Sequence, residues 1–281
     1  MLAVGLMSGT SLDGIDAVLC EITGFGLNTK IEQKNFIIYP LPASIKETIK
    51  RCCKSEGVGT DVICSLNFEL GELFSNAAQF VCAKAGIATQ NLDFISCHGQ
   101  TIYHIPRKTN QFVASTLQIG ESAVIAQNCG CTVISNFRTK DMAAGGEGAP
   151  LVPYSEYILY RNTEHAVALQ NIGGIGNVTV LPKECQLDDV YAFDTGPGNM
   201  TIDEAMLQMY GKPYDDGGKI ASTGKVINKM MNELKQHSYI NMDPPKTTGR
   251  EMFGPAFVHH LLKKYCEEKP NDIIKTLTWF T

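Results

Sequence analysis

"NIGGIGN", residues 171–177, stands between two apolar runs, Ala166–Gln170 and Val178–Leu181. "SGTSLDG", residues 8–14, stands in the same way between Leu2–Met7 and Ile15–Ile22. Aliphatic and β-branched runs flanking a glycine-and-polar turn predict strand–turn–strand, and the unit occurs once in each half. A chain of 281 residues is longer than one ordinary core requires. Two copies of one supersecondary unit in it predict two related α/β domains facing each other across a cleft. The glycine-rich stretch "AAGGEGAP", 143–150, separates the halves, giving domains 1–140 and 141–281.

The rest of the pattern alternates accordingly. Asn35–Tyr39 reads as a strand closing at Pro40, Ser44–Arg51 as a helix, and Asp61–Lys84 as a longer one. In the longer helix Ile63, Leu66, Leu70, Leu73, Phe74 and Ala77 recur at helical spacing. Phe94–Cys97 is a short buried strand running into "HGQT", 98–101. Glu121–Gln127 and Pro153–Tyr160 read as helices and Thr132–Ser135 as a strand. Tyr191–Phe193 reads as a strand that ends at Asp194, and Thr201 opens a helix.

A composition 44% hydrophobic and 19% charged is that of an ordinary globular protein. A net charge of −5 argues against nucleic acid or an anionic membrane as partner, so an anionic substrate has to be met by local donors. Met1–Met7 lacks the charged start of a signal peptide, and no apolar run reaches the ~20 residues that span a bilayer. Ten cysteines without a C-x-x-C pair fit a reduced, cytoplasmic protein whose thiols serve as small buried hydrophobes. No metal-ligand set is expected among them.

Gly9-x-x-x-x-Gly14 has the spacing of a phosphate loop, whose successive N–H groups form an anion-binding nest. Ile15 and Asp16 stand where that loop has Lys and Ser or Thr. Carboxylates repel a phosphate unless a cation intervenes. Asp13 and Asp16 therefore suit a magnesium-bound nucleotide or a neutral hydroxylated ligand. The alternative is a plain hairpin in which Asp13-Gly14 supplies the positive φ. Gly173-Gly174 permit close backbone approach, for a phosphate or for a glycine hairpin alone. In "YAFDTGPGNMTIDEAM", 191–206, Asp194 at a strand end is a candidate general base or the head of an Asx-turn. His98 and Gln100 fall just after a strand, facing a ligand or serving structure. Arg138 offers a planar fork for carboxylate or phosphate, Asp141 is its potential partner, and the loop around Glu147 could hinge.

"VGLMSGTSLDGIDAVL", "CHGQT", "NFRTKDMAAGGEGAPLVP", "QNIGGIGNVT" and "FDTGPGNMTID", in this order, resemble the anhydro-N-acetylmuramic acid kinase family. Weaker similarity continues through "DGG" and "GREMFG". The resemblance implies the sugar kinase, Hsp70 and actin superfamily: α/β, two ribonuclease-H-like domains with mixed sheets flanked by helices, and ATP at the bottom of an interdomain cleft. It implies that Gly9, Thr10, Ser11, Leu12, Asp13, Gly14, Ile15 and Asp16 form a first phosphate loop, and Gly173 and Gly174 a second. It makes Asp194 the catalytic base and puts Thr10, Asp13, His98, Arg138 and Asp141 with Asp194 around the sugar.

ATP with Mg²⁺ would open the 1,6-anhydro ring of anhydro-N-acetylmuramic acid hydrolytically and phosphorylate O6, in peptidoglycan recycling. A conventional sugar kinase and a non-catalytic sugar- or nucleotide-binding protein are the rival readings. Two departures stand out. Asn136 replaces the Asp usual in the family, and family members continue well past "NDIIKTLTWFT", 271–281. The second domain is accordingly expected to be incomplete and the chain a weak ATP binder with poor turnover. A homodimer or a complementing C-terminal fragment is the expected partner.

Overall fold

Leu2–Ser8 (β1) and Ile15–Thr23 (β2) pair antiparallel throughout, Leu2 opposite Glu21 and Ser8 opposite Ile15. This computed structural model describes every residue except Thr10, Ser11 and 55–57, and every described side chain but that of Glu251. The chain divides into two compact units, Met1–Leu151 and Val152–Thr281.

In the first unit Lys30–Tyr39 (β3) pairs antiparallel with β2. Two helices follow, Ala43–Cys52 (α1) and Thr60–Lys84 (α2). Phe94–Ile105 (β4) then lies parallel to β1. The second half of β4 changes partner and pairs antiparallel with Ser115–Ile119 (β5). Ser122–Cys129 (α3) leads to Val133–Ile134 (β6), which lies parallel to the first half of β4, and Phe137–Ala143 (α4) follows. The sheet is thus mixed, in the order β3-β2-β1-β4-β5 with β6 also on β4.

Alternation decides which face is buried. Val4, Leu6, Ile15, Ala17, Leu19 and Ile95 point to one side and lie against Leu66, Leu70, Phe74, Ala77 and Val81 of α2 in a single core. Each such large side chain, when fully buried, contributes about 1.5–3 kcal/mol of transfer free energy. At Gly71 a Cβ would come within 2.9 Å of Glu121 O and 3.0 Å of Val124 Cβ, so glycine permits the close α2–α3 approach.

The boundary falls after Leu151 rather than after residue 140. The glycine-rich loop is fastened back onto the first unit. Asp141 Oδ2 accepts from Gly148 N at 2.8 Å, Arg138 Nη1 donates to Gly148 O at 2.7 Å, and Arg107 Nε donates to Glu147 Oε1 at 2.6 Å.

The second unit begins with Val152–Tyr160 (α5) and a three-stranded antiparallel sheet, Val167–Ile172 (β7), Ile175–Leu181 (β8) and Tyr191–Pro197 (β9). Helices follow: Asn199–Tyr210 (α6), Lys219–Thr223 (α7), Asn228–Lys235 (α8), Arg250–Phe253 (α9), Pro255–Lys264 (α10) and Pro270–Phe280 (α11). Pro255 and Pro270 open the last two, where a missing N–H costs no helical bond. Met206, Met230, Val258, Ile274 and Leu277 close the helical core. The α/β class expected from the sequence is the one observed, a mixed sheet with helices and a second, antiparallel sheet. Among the described residues no helix is long and apolar enough to cross a membrane.

Candidate functional site

The first glycine turn joins β1 to β2. Leu12 N donates to Gly9 O at 3.2 Å, and Leu12 is buried at φ 58°. Among the described residues of the turn, the positive φ therefore falls on a leucine and not at Asp13-Gly14. A non-glycine residue there is uncommon and marks a constrained turn. Gly14 is required for space: a Cβ would stand 2.5 Å from Ile38 Cγ2 and 2.7 Å from Tyr39 O. Ile15 faces the core, so only its backbone can meet a ligand.

Asp13 and Asp16 are exposed. Partial burial, and next the charge of Asp13, hold the Asp16 carboxyl above the ordinary carboxylate range. A negative charge beside Asp16 disfavours its ionised form. Thr10 and Ser11, expected in this loop, lie outside the described residues. Beside the turn, buried Ser8 donates through Oγ to Gln100 Oε1 at 2.6 Å, which ties β1 to "HGQT".

His98 and Arg138 meet. Arg138 Nε donates to His98 Nε2 at 2.8 Å, and His98 Nδ1 lies 3.0 Å from Gly99 O. Desolvation above all pushes the His98 pKa below its ordinary value, against an upward pull from the hydrogen bond to Gly99 O and with a lesser downward push from the Arg138 charge. Gly99 itself sits at φ 75° where β4 changes partner, and a Cβ there would stand 2.7 Å from Ile119 O.

Asp141 does not pair with Arg138 among the described residues. The two instead hold opposite sides of Gly148, Asp141 its N–H and Arg138 its carbonyl. Asn136 caps α4 at φ 62° and ψ 34°, a left-handed conformation that asparagine tolerates better than most residues. A cavity of about 350 Å³ opens beside His98, bordered by Thr60, Asn67, Glu121, Ser135 and Asn136.

In the second unit Gly173 and Gly174 form a two-residue turn between β7 and β8, neither at positive φ. A Cβ on Gly173 would meet nothing closer than Ile175 O at 3.7 Å, and one on Gly174 nothing closer than Met200 Cε at 3.4 Å. The protein's own packing does not demand glycine at either position. Their carbonyls are engaged by the start of α6: Gly174 O accepts from Gly198 N at 2.9 Å and Met200 N at 3.2 Å, and Gly173 O from Asn199 N at 2.9 Å. In a trans peptide the N–H points opposite to the C=O. The N–H groups of Gly174 and Ile175 are therefore turned away from α6.

Asp194 lies within β9, half-buried. Its Oδ2 accepts from Thr247 Oγ1 at 2.7 Å and Thr248 N at 2.9 Å. Among the described residues Oδ1 has no hydrogen-bond partner. Its backbone is held too, N to Lys246 O at 3.1 Å and O from Tyr239 OH at 2.8 Å. The short Asx-turn alternative is thereby replaced by a long-range contact. Sequence reading passed over "KTTGR", 246–250, whose two threonines before a glycine were the available signal.

A family model described as anhydro-N-acetylmuramic acid kinase matches residues 1–281. The kinase of that name from Clostridioides difficile (strain 630) is 56% identical over 281 residues, covering 100% of this chain and 73% of that protein. The one from Bacillus cereus (strain Q1) is 51% identical, covering 100% and 74%. Among solved structures, a reductive activator for a corrinoid, iron-sulfur protein aligns at a TM-score of 0.33 and 14% identity, over 73% of this chain and 31% of that one. That likeness is too low to carry an argument. The whole-chain match and the two kinases suffice: the chain belongs to the anhydro-N-acetylmuramic acid kinase family.

Proposed function

We propose that the protein phosphorylates 1,6-anhydro-N-acetylmuramic acid at the expense of ATP, opening the anhydro ring with water and yielding N-acetylmuramic acid 6-phosphate and ADP, in peptidoglycan recycling. The observation that carries the reading is the state of Asp194. One carboxylate oxygen is held by two donors while the other has no described partner, as a general base requires. Asp194 takes a proton from water as the water oxygen bonds to C1. The C1–O6 bond breaks, and O6 forms its bond to the γ-phosphorus of ATP as ADP leaves.

The outward N–H groups of the Gly173–Gly174 turn suit the phosphates, since the room left by both glycines lets an anion approach the backbone. Asp13 and Asp16 would hold Mg²⁺, which would supply charge neutralisation on the phosphates. Arg138, with one face spent on His98 and Gly148, keeps a guanidinium edge for the lactyl carboxylate or a hydroxyl of the sugar. We assign each unit to the ribonuclease-H-like class. The first supports it by its order β3-β2-β1-β4, with β2 antiparallel and β4 parallel to β1.

Replacing Asp194 with Asn tests the reading. A coupled ADP assay with the anhydro sugar is expected to show kcat lowered by ~10²–10⁴, with thermal unfolding unchanged. A folded variant with undiminished kcat would remove Asp194 from the mechanism.

A further inference from the structure

A carboxylate acting as a base has two oxygens and about four lone-pair sites, and a freely rotating one spends most orientations badly aimed. At Asp194 two donors converge on one oxygen. Both come from adjacent residues of the segment before α9, Thr247 through its hydroxyl and Thr248 through its backbone N–H. Together they fix the plane of the carboxylate and leave Oδ1 as the site for the proton.

The segment that supplies these donors is itself immobilised. Lys246 Nζ donates to Tyr239 O at 3.2 Å and Ile240 O at 3.1 Å, and it lies 5.1 Å from the centre of the Tyr239 ring and 5.8 Å from that of Phe193. Carbonyl oxygens and aromatic faces are the partners an ammonium accepts without a carboxylate. Tyr239 is 1% exposed and packs edge-on to Phe253 at 5.7 Å between ring centres. The Tyr239 hydroxyl in turn donates to Asp194 O, and Lys246 O accepts from Asp194 N. Both ends of the arrangement are therefore tied to the residue they position.

We infer that Thr247 is a positioning residue for the general base: its hydroxyl, with the Thr248 amide, locks the Asp194 carboxylate so that Oδ1 alone is presented for proton transfer. The inference rests on Asp194 being the base. Thr247 touches no reacting atom in this scheme, so its loss misaims the base without removing a ligand contact. Small misplacements of a reacting group slow catalysis about 10- to 100-fold.

The test compares Thr247→Val, Thr247→Ser and Asp194→Asn in the whole chain, measuring kcat and both KM values alongside thermal unfolding. Thr247→Val is expected to lose about 10-fold or more in kcat with KM for ATP and sugar within about twofold, and Thr247→Ser to recover most of the loss. If Val lowers the melting temperature, Thr247→Ala removes the hydroxyl without setting a methyl group against the carboxylate, and the same outcome is expected. Undiminished kcat in Val or Ala, while Asp194→Asn is dead, overturns the positioning role and leaves the base standing. A loss seen in KM instead, or no recovery in Ser, overturns it as well. Full activity in Asp194→Asn overturns the base reading itself, whatever Thr247 does.

Discussion

Arg138 Nε donates a hydrogen bond to Nε2 of His98 at 2.8 Å. A guanidinium N–H can only donate, so Nε2 carries a lone pair and the imidazole is neutral. Its one ring proton is on Nδ1, facing Gly99 O. His98 thus serves as a fixed acceptor that aims Arg138, and protonating it would set two cations face to face.

That relationship gives a pH dependence with a definite sign. Burial lowers the folded-state pKa of His98 below 6.5, so the unfolded chain binds more protons once pH falls to that value. The stability associated with the neutral ring is present above about pH 6.5 and is lost as pH falls from there towards the folded-state value. His104, lowered by burial and then by Arg138, adds to the same slope. Urea midpoints between about pH 5 and 7.5 are expected to fall with pH in the wild type and less steeply in His98→Gln. An identical slope in the variant would sink the assignment.

The glycines just before β8 and just before α6 predict opposite behaviour for two alanine substitutions. Gly173→Ala fits the protein without a clash and is expected to change stability by less than about 0.5 kcal/mol. It narrows the approach to the turn and is expected to raise KM for ATP about tenfold, ~1.4 kcal/mol. Gly198→Ala drives its Cβ into Gly173 O and is expected to cost about 1–3 kcal/mol of stability. Equal KM for ATP in Gly173→Ala and wild type would mean that nothing outside the protein approaches the turn.

The proposed chemistry also has an isotopic signature. Turnover in ¹⁸O-water is expected to label C1–OH of the product sugar and to leave its phosphate ester unlabelled, since O6 is the acceptor. Mass spectrometry of the product, with the phosphate analysed separately, reads this directly. Label in the ester oxygen would show that water opened the ring at C6 rather than C1, and label in inorganic phosphate would show that water, rather than O6, meets the phosphorus.

Both glycine turns, the long α2 helix and the Asp194 strand were legible because their signals are local. The apolar spacing of Leu66, Leu70 and Phe74 and the glycine pairs lie within single segments. The second half of β4 was not. Its run after Cys97 is "HGQT", whose polar side chains face Ser8 and Arg138, and the strand continues only because Gly99 lets it change partners. β5, "STLQI", is too polar to stand out, and α4 is two turns long and starts from a left-handed Asn136. The hold on Asp194 comes from 53 and 54 residues away, a separation no local pattern encodes.

Asp194 sits in β9, which is laddered to β8 opposite Asn177, and the residues just beyond β9 are bonded to the Gly173–Gly174 carbonyls that stand just before β8. The carboxylate and the turn therefore ride on one frame whose span is set when the unit folds. Such a frame acts as a ruler: on the proposed reading, nucleotide arriving at the turn would neither lengthen nor shorten the reach to Asp194, and a ligand would either match that gauge or react poorly. Selection by length would then be built in before any side chain met the proposed sugar.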